Sequence, residues 1–214
     1  MLGKSITRNS LLLALFAVAT GLLLAGSYLL TKERIASEIR KAEEKALLQI
    51  IPRARHDNSM LDDTLDVGPA TAGLGLRESK RVYLAKSAGE IIAAIIPVTA
   101  RDGYSGDIQL IVGVNADGSV AGVRVLTHKE TPGLGDRVDL AKSDWVLGFD
   151  GRSLQNPGAE GWAVKKDGGV FDAFTGATIT PRAVVSATHR ALQYARENHQ
   201  ALYGSADQAT EGGA

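Results

Sequence analysis

IQLIVGV (Ile108–Val114) and VAGVRVL (Val120–Leu126), joined by NADGS (Asn115–Ser119), decide the fold. Both runs are rich in β-branched residues, and Asp117–Gly118 between them is a strong hairpin signal. Upstream, VYLAKSAGEIIAAIIPV (Val82–Val98) reads as two further strands around Ser87–Gly89. Four strands that arrive in sequence predict a small, mostly antiparallel sheet. After it, Asp136–Leu147 reads as a short helical stretch. Pro181–Tyr203 reads as a long helix with Val184, Val185, Thr188, Leu192 and Ala195 on one side. The expected class is α+β, with the folded domain over 81–203 and a flexible Gly/Ser/Ala tail over 204–214.

The N-terminal end is different. LLLALFAVATGLLLAGSYLL (Leu11–Leu30) has no charge over 20 residues, enough to cross a bilayer core as one helix. Tyr28 suits the interface. A cleaved signal peptide would share the basic leader and the apolar run. No clean A-x-A site follows, so an uncleaved anchor is expected after a 1–10 tail. Beyond it, Ile35, Ile39, Ala42, Ala46 and the Leu47/Ile50 pair continue a helical apolar stripe until Pro52, giving an extramembrane helix over 31–52. The polar, Gly-rich 53–80 segment reads as an irregular connection. Ala17, Gly21 and Ala25 line one side of the span, as at helix–helix contacts, although small residues are common in any membrane helix. Counting Lys and Arg places the domain inside, because Lys32, Arg34, Arg40, Lys41 and Lys45 outnumber Lys4 and Arg8. The short leader and signal-like layout favour the opposite side.

Composition narrows the chemistry. Lys+Arg and Asp+Glu balance at 24 each, so a broad nucleic-acid surface has no electrostatic footprint. The absence of cysteine removes disulfides, thiolate catalysis and cysteine-ligated iron–sulfur clusters. His56, His128, His189 and His199 lack metal-ligand spacing and read as surface residues. There is no Rossmann or P-loop pattern, and Ser186 has no nucleophile elbow around it.

DAFTGATITP (Asp172–Pro181) carries the clearest chemical signal. It is a turn entering a helix, with Thr180 as N-cap and Pro181 at the first helical position. A helix N-terminus offers unpaired N–H groups and partial positive charge to a phosphate. Gly176 and Ala177 permit close approach, and Thr175 and Thr178 add hydroxyls. An ordinary capped helix would look the same on these grounds. A second constellation, HKETPGLGD (His128–Asp136), follows a strand end and contains a Pro-Gly turn.

DAFTGAT resembles the D-x-x-[ST]-G-A-T motif of the FMN-binding domains of the Rnf (Rsx) and Na⁺-translocating NADH:quinone oxidoreductase complexes. HKETPGLG resembles the H-x-E-T-P-G-L-G loop of the same domains. Gly103-Tyr104-Ser105-Gly106-Asp107-Ile108 and Trp145 with Phe149 and Gly151 resemble further elements, in the same order. The resemblance runs from about Arg81 to the terminal helix, and 214 residues favour the Rnf branch. It implies FMN joined through its phosphate to Thr178 by a flavin transferase that uses FAD and recognises the motif that Asp172 opens. It also implies Thr175, Gly176 and Ala177 at the phosphate end, and Glu130, Thr131 and Leu134 beside the ring or ribityl chain. It further implies a single-pass subunit in a bacterial inner membrane with its domain in the periplasm. Its partners would be other membrane and redox subunits that couple ferredoxin/NAD electron transfer to ion movement. The equivalent subunit of a quinone reductase, or a non-redox membrane scaffold, are the alternative readings.

Overall fold

The computed structural model describes residues 2–71 and 73–204. Its first element is helix α1, Leu2–Ile50, so the expected tail, span and extramembrane helix form one continuous helix. Its N-terminal part is long and apolar enough to cross a membrane. Leu11, Leu15, Phe16, Leu22 and Leu24 are exposed there, as side chains that face lipid would be. The helix stops where Pro52 cannot continue it. Two compact units result, 1–45 and 46–214. The second therefore begins with the last turn of α1, ahead of the Arg81 start read from the sequence.

The second unit is built on five antiparallel strands in the order β1 (Thr64–Val67), β2 (Lys80–Ser87), β3 (Glu90–Gly103), β4 (Gly106–Asn115) and β5 (Val120–Thr127). The β4–β5 pairing matches the hairpin reading, with Gly118 at φ 83° in the turn. The 53–80 segment expected to be irregular contains β1. Asp63 there binds Lys86 Nζ at 2.5 Å and accepts a hydrogen bond from Asn58 Nδ2, which together hold its carboxyl below the usual range.

Helix α2 (Ile179–Glu197) covers one face of the sheet. Ala183, Val184, Ala187, Ala191, Leu192 and Ala195 recur at helical spacing and pack on Ala94, Ile96, Val98, Leu110 and Val112. The long terminal helix of the sequence reading is broken: α2 ends at Asn198, and α3 (His199–Tyr203) follows. The 136–147 helical stretch is instead a pair of 3₁₀ turns, Gly135–Val138 and Asp144–Phe149. The second turn brings in Phe149, which stacks on Phe171 at 4.6 Å and meets Trp145 edge-on at 5.3 Å. The opposite face of the sheet packs Ala93, Ile95 and Ile111 with Leu47, Ile50, Ile51, Met60 and Leu61. The tail expected beyond Gly204 lies outside the described residues.

Candidate functional site

Three connections converge at one end of the sheet. The β3–β4 turn is tight, since a Cβ on Gly103 would collide with the Gly106 carbonyl oxygen. It raises Tyr104. The loop after β5 folds on itself, with the Leu134 and Gly135 N–H groups donating to the Thr131 carbonyl at 3.1 and 3.0 Å. The Gly133 N–H donates to Asp136 Oδ1 at 2.8 Å. The third connection, 174–178, turns through Gly176 at φ 83°, a conformation that side-chain-bearing residues avoid.

Between them lies an open cleft of about 310 Å³, lined by Tyr104, Glu130, Thr131, Leu134, Gly135 and the run from Gly176 to Thr180. Six positions singled out from sequence line it: Glu130, Thr131, Leu134, Gly176, Ala177 and Thr178. Thr175 and Asp172 do not. Both are exposed beside it, and Asp172 pairs with Lys165 at 2.6 Å while its carbonyl accepts Trp145 Nε1–H at 2.8 Å. Phe174 is buried between them, with the Arg137 guanidinium 5.1 Å from its ring centre.

The helix start differs from the expected one. Thr180 is not the N-cap. Helix α2 begins at Ile179, with Thr178 flanking it at φ −80° and ψ −27° and making no capping bond with its side chain. Thr180 is buried in the first turn, and its hydroxyl donates to Glu130 instead. Pro181 still lies in the first turn, where a missing N–H costs no intrahelical bond. Next to it, Arg182 pairs with Asp167 at 2.5 Å, which holds that carboxyl below the usual range.

The residues present suit FMN. Thr178 is partly exposed at a helix N-terminus, where a phosphate is favoured. A Cβ at Gly176 would lie 3.6 Å from Leu134 Cδ2, in ordinary contact at the cleft wall. Tyr104, Leu134 and Ile179 leave apolar surface exposed at the mouth, at 68%, 43% and 43%, against which a planar aromatic ring can lie. Sequence reasoning missed Gly135 and Ile179 as lining residues. Tyr104 stands in the sequence as part of a strand entry, although Gly103-Tyr104-Ser105-Gly106 also signals an exposed turn. The surface reading of His189 also fails. His189 stacks on Trp162 at 5.4 Å, and burial, with Arg196 and Arg190 nearby, pushes its imidazole below the ordinary range.

Fold and cleft define a class: a membrane-anchored protein whose sheet-based domain carries an open cleft beside a helix N-terminus. The profile of the FMN-binding domain family matches residues 103–193, and that of the RnfG N-terminal region matches residues 1–50. The G-type subunit of the ion-translocating oxidoreductase complex of Pseudomonas aeruginosa is 52% identical over 199 residues, covering 93% of this chain and 92% of that one. Its counterparts from Pseudoalteromonas atlantica and Vibrio cholerae are 47% and 45% identical, covering 95% and 93% of this chain and 94% of each relative. A crystal structure of Shewanella oneidensis NqrC aligns at a TM-score of 0.48 and 23% identity, covering 70% of this chain and 72% of that chain. The chain belongs to the family of G-type subunits of ion-translocating oxidoreductase complexes, with an N-terminal membrane helix and an FMN-binding domain.

Proposed function

We infer that this chain relays electrons within an Rnf-type complex through an FMN held by a phosphoester to Thr178. The carrying observation is the cleft, which brings Glu130, Thr131, Leu134, Gly176 and Ala177 together with Thr178 at the start of α2. Attachment joins Thr178 Oγ1 to the FMN phosphorus of FAD. AMP leaves, the hydroxyl proton passes to solvent, and a flavin transferase performs the step. Asp172 and Thr175, exposed beside the cleft, are the side chains such an enzyme can reach.

Bound FMN supplies reversible one- and two-electron chemistry. The chain supplies position. The first turn of α2 offers N–H groups and partial positive charge to the phosphate. Gly176 adds no side-chain bulk to the cleft, while Thr131, Leu134 and Tyr104 are the residues that would hold the ring. The open mouth leaves the ring within reach of redox partners. Other membrane and redox subunits complete the path, which couples ferredoxin/NAD electron transfer to ion movement.

The test is a denaturing gel of the full chain co-expressed with a flavin transferase and viewed under ultraviolet light. A fluorescent band that vanishes in Thr178→Ala is expected. A dark wild-type band, or fluorescence that survives the substitution, contradicts the reading.

Resemblance to the Rnf branch supports the periplasmic side for the domain. The cysteine-free chain allows a direct check by Gln155→Cys, a position exposed on the domain. A membrane-impermeant maleimide should label it in spheroplasts. Labelling only after lysis places the domain inside.

A further inference from the structure

Glu130 ties together the three segments that wall the cleft. It is only 4% exposed. Its Oε1 accepts the Ser105 N–H of the β3–β4 turn at 2.9 Å, and its Oε2 accepts the hydroxyl of Thr180, 50 residues away in the first turn of α2. Its own N–H donates to His128 Nδ1 at 3.1 Å. Gly135 makes room for the arrangement. A Cβ there would lie 2.8 Å from Thr180 Oγ1 and 3.0 Å from Glu130 Cβ. Both carboxylate oxygens are thus engaged with the protein. Although the residue lines the cleft, its polar atoms act on the chain and not on a bound ring.

Three threonines crowd this helix start, and the structure treats each differently. Thr175 is exposed outside the cleft, Thr178 is partly exposed within it, and Thr180 is 1% exposed with its hydroxyl committed. Thr178 already has right-handed helical backbone angles. Two residues along an α-helix correspond to a turn of about 200° about the axis. Fixing Thr180 toward Glu130 therefore turns Thr178 toward the open side, and the same bond sets how deeply the first turn sits.

We propose that Glu130, acting through Thr180, is the positioning residue that presents Thr178 as the hydroxyl that receives the flavin phosphate. This rests on the reading of Thr178 as the attachment site. The experiment measures the rate of covalent flavin incorporation into the full chain in membranes, with flavin transferase and FAD, and maps the label by peptide mass spectrometry. Thr180→Val keeps the side-chain shape and removes the hydroxyl. It should slow attachment about ten- to hundredfold, the scale of a small misplacement of reacting groups. Thr180→Ser should restore the rate to within about twofold, because the hydroxyl returns. Glu130→Ala combined with Thr180→Val should be no slower than the slower single variant, because both changes cut one connection. Attachment at the wild-type rate in Thr180→Val overturns the proposal. So does a rate loss that only tracks the loss of folded chain in thermal melts, which would mark a purely structural role. A wild-type chain with no covalent flavin fails differently: it removes the attachment reading itself.

Discussion

One face of the sheet meets α2 through Ala94, Ile96, Val98, Leu110 and Val112, and its core runs on into Phe149, Trp162, Phe171 and Phe174. The other face meets Leu47, Ile50 and Ile51 from the last turn of α1 and its extension. There the sheet offers a notch instead of bulk. A Cβ on Gly113 would collide with Ile50 Cγ2, and one on Gly122 would lie 3.4 Å from it. The Arg124 guanidinium donates to the Gln49 carbonyl at 2.9 Å, satisfying an acceptor near the helix end. The α2 face thus places the cleft through an aromatic core that reaches Phe174, four residues before Thr178. The α1 face seats a helix end by leaving side chains out. Damage to the first should reach the site, whereas damage to the second should cost stability alone.

Phe149→Ala gives the largest expected loss of stability. The ring is fully buried against Phe171 and Trp145, and its removal should cost about 3–5 kcal/mol. For a domain of this size that lowers Tm by roughly ten degrees. Trp145 lies 5.1 Å from Phe174, so flavin attachment at Thr178 should also slow. Gly113→Val comes next. Overpacking against Ile50 should cost about 1–3 kcal/mol and lower Tm by several degrees. Its rate of flavin attachment should stay at the wild-type level. If the two variants slow attachment equally at matched stability, the faces are not independent and the contrast is broken.

The smallest effect is a pH dependence. Burial holds the His189 imidazole below the ordinary 6.5, so the unfolded chain binds more protons than the folded one beneath that value. Its contribution is present above pH 6.5 and is lost as pH falls through the folded value. The ring is partly exposed, which screens the effect. Thermal melts should show a loss of about one or two degrees at mildly acidic pH that His189→Phe abolishes. An unchanged pH profile in His189→Phe would show that another group titrates.

The two faces also differ in how well the sequence announced them. The β4–β5 hairpin was legible because Asp117–Gly118 separates two β-branched runs and Gly118 supplies the positive φ. The apolar stripe of α2 was legible from its period. Strand β1 was not, because TLDV buries only Val67 and owes its strand form to pairing with β2. The seating of α1 was half legible. Leu47 and Ile50 stood out as a stripe, but their receptor is two glycines, which carry no pattern. At the site, resemblance marked the loops that carry Glu130 and Thr178. The role of Thr180 was misread because a helix-start threonine signals a cap in sequence, whereas its partner lies 50 residues away. Only the fold brings Tyr104, Gly135 and Ile179 to the same cleft. His189 was misread in the same way, since the ring it stacks on, Trp162, is distant in sequence.

The proposed phosphoester selects one threonine among three. Proteolysis of the full chain, purified from cells that supply flavin transferase, followed by mass spectrometry of the peptide spanning 172–182, tests it directly. An FMN phosphoryl group is expected on that peptide, with fragment ions assigning it to Thr178 and leaving Thr175 and Thr180 unmodified. An unmodified peptide, or FMN assigned to Thr175 or Thr180, would contradict it.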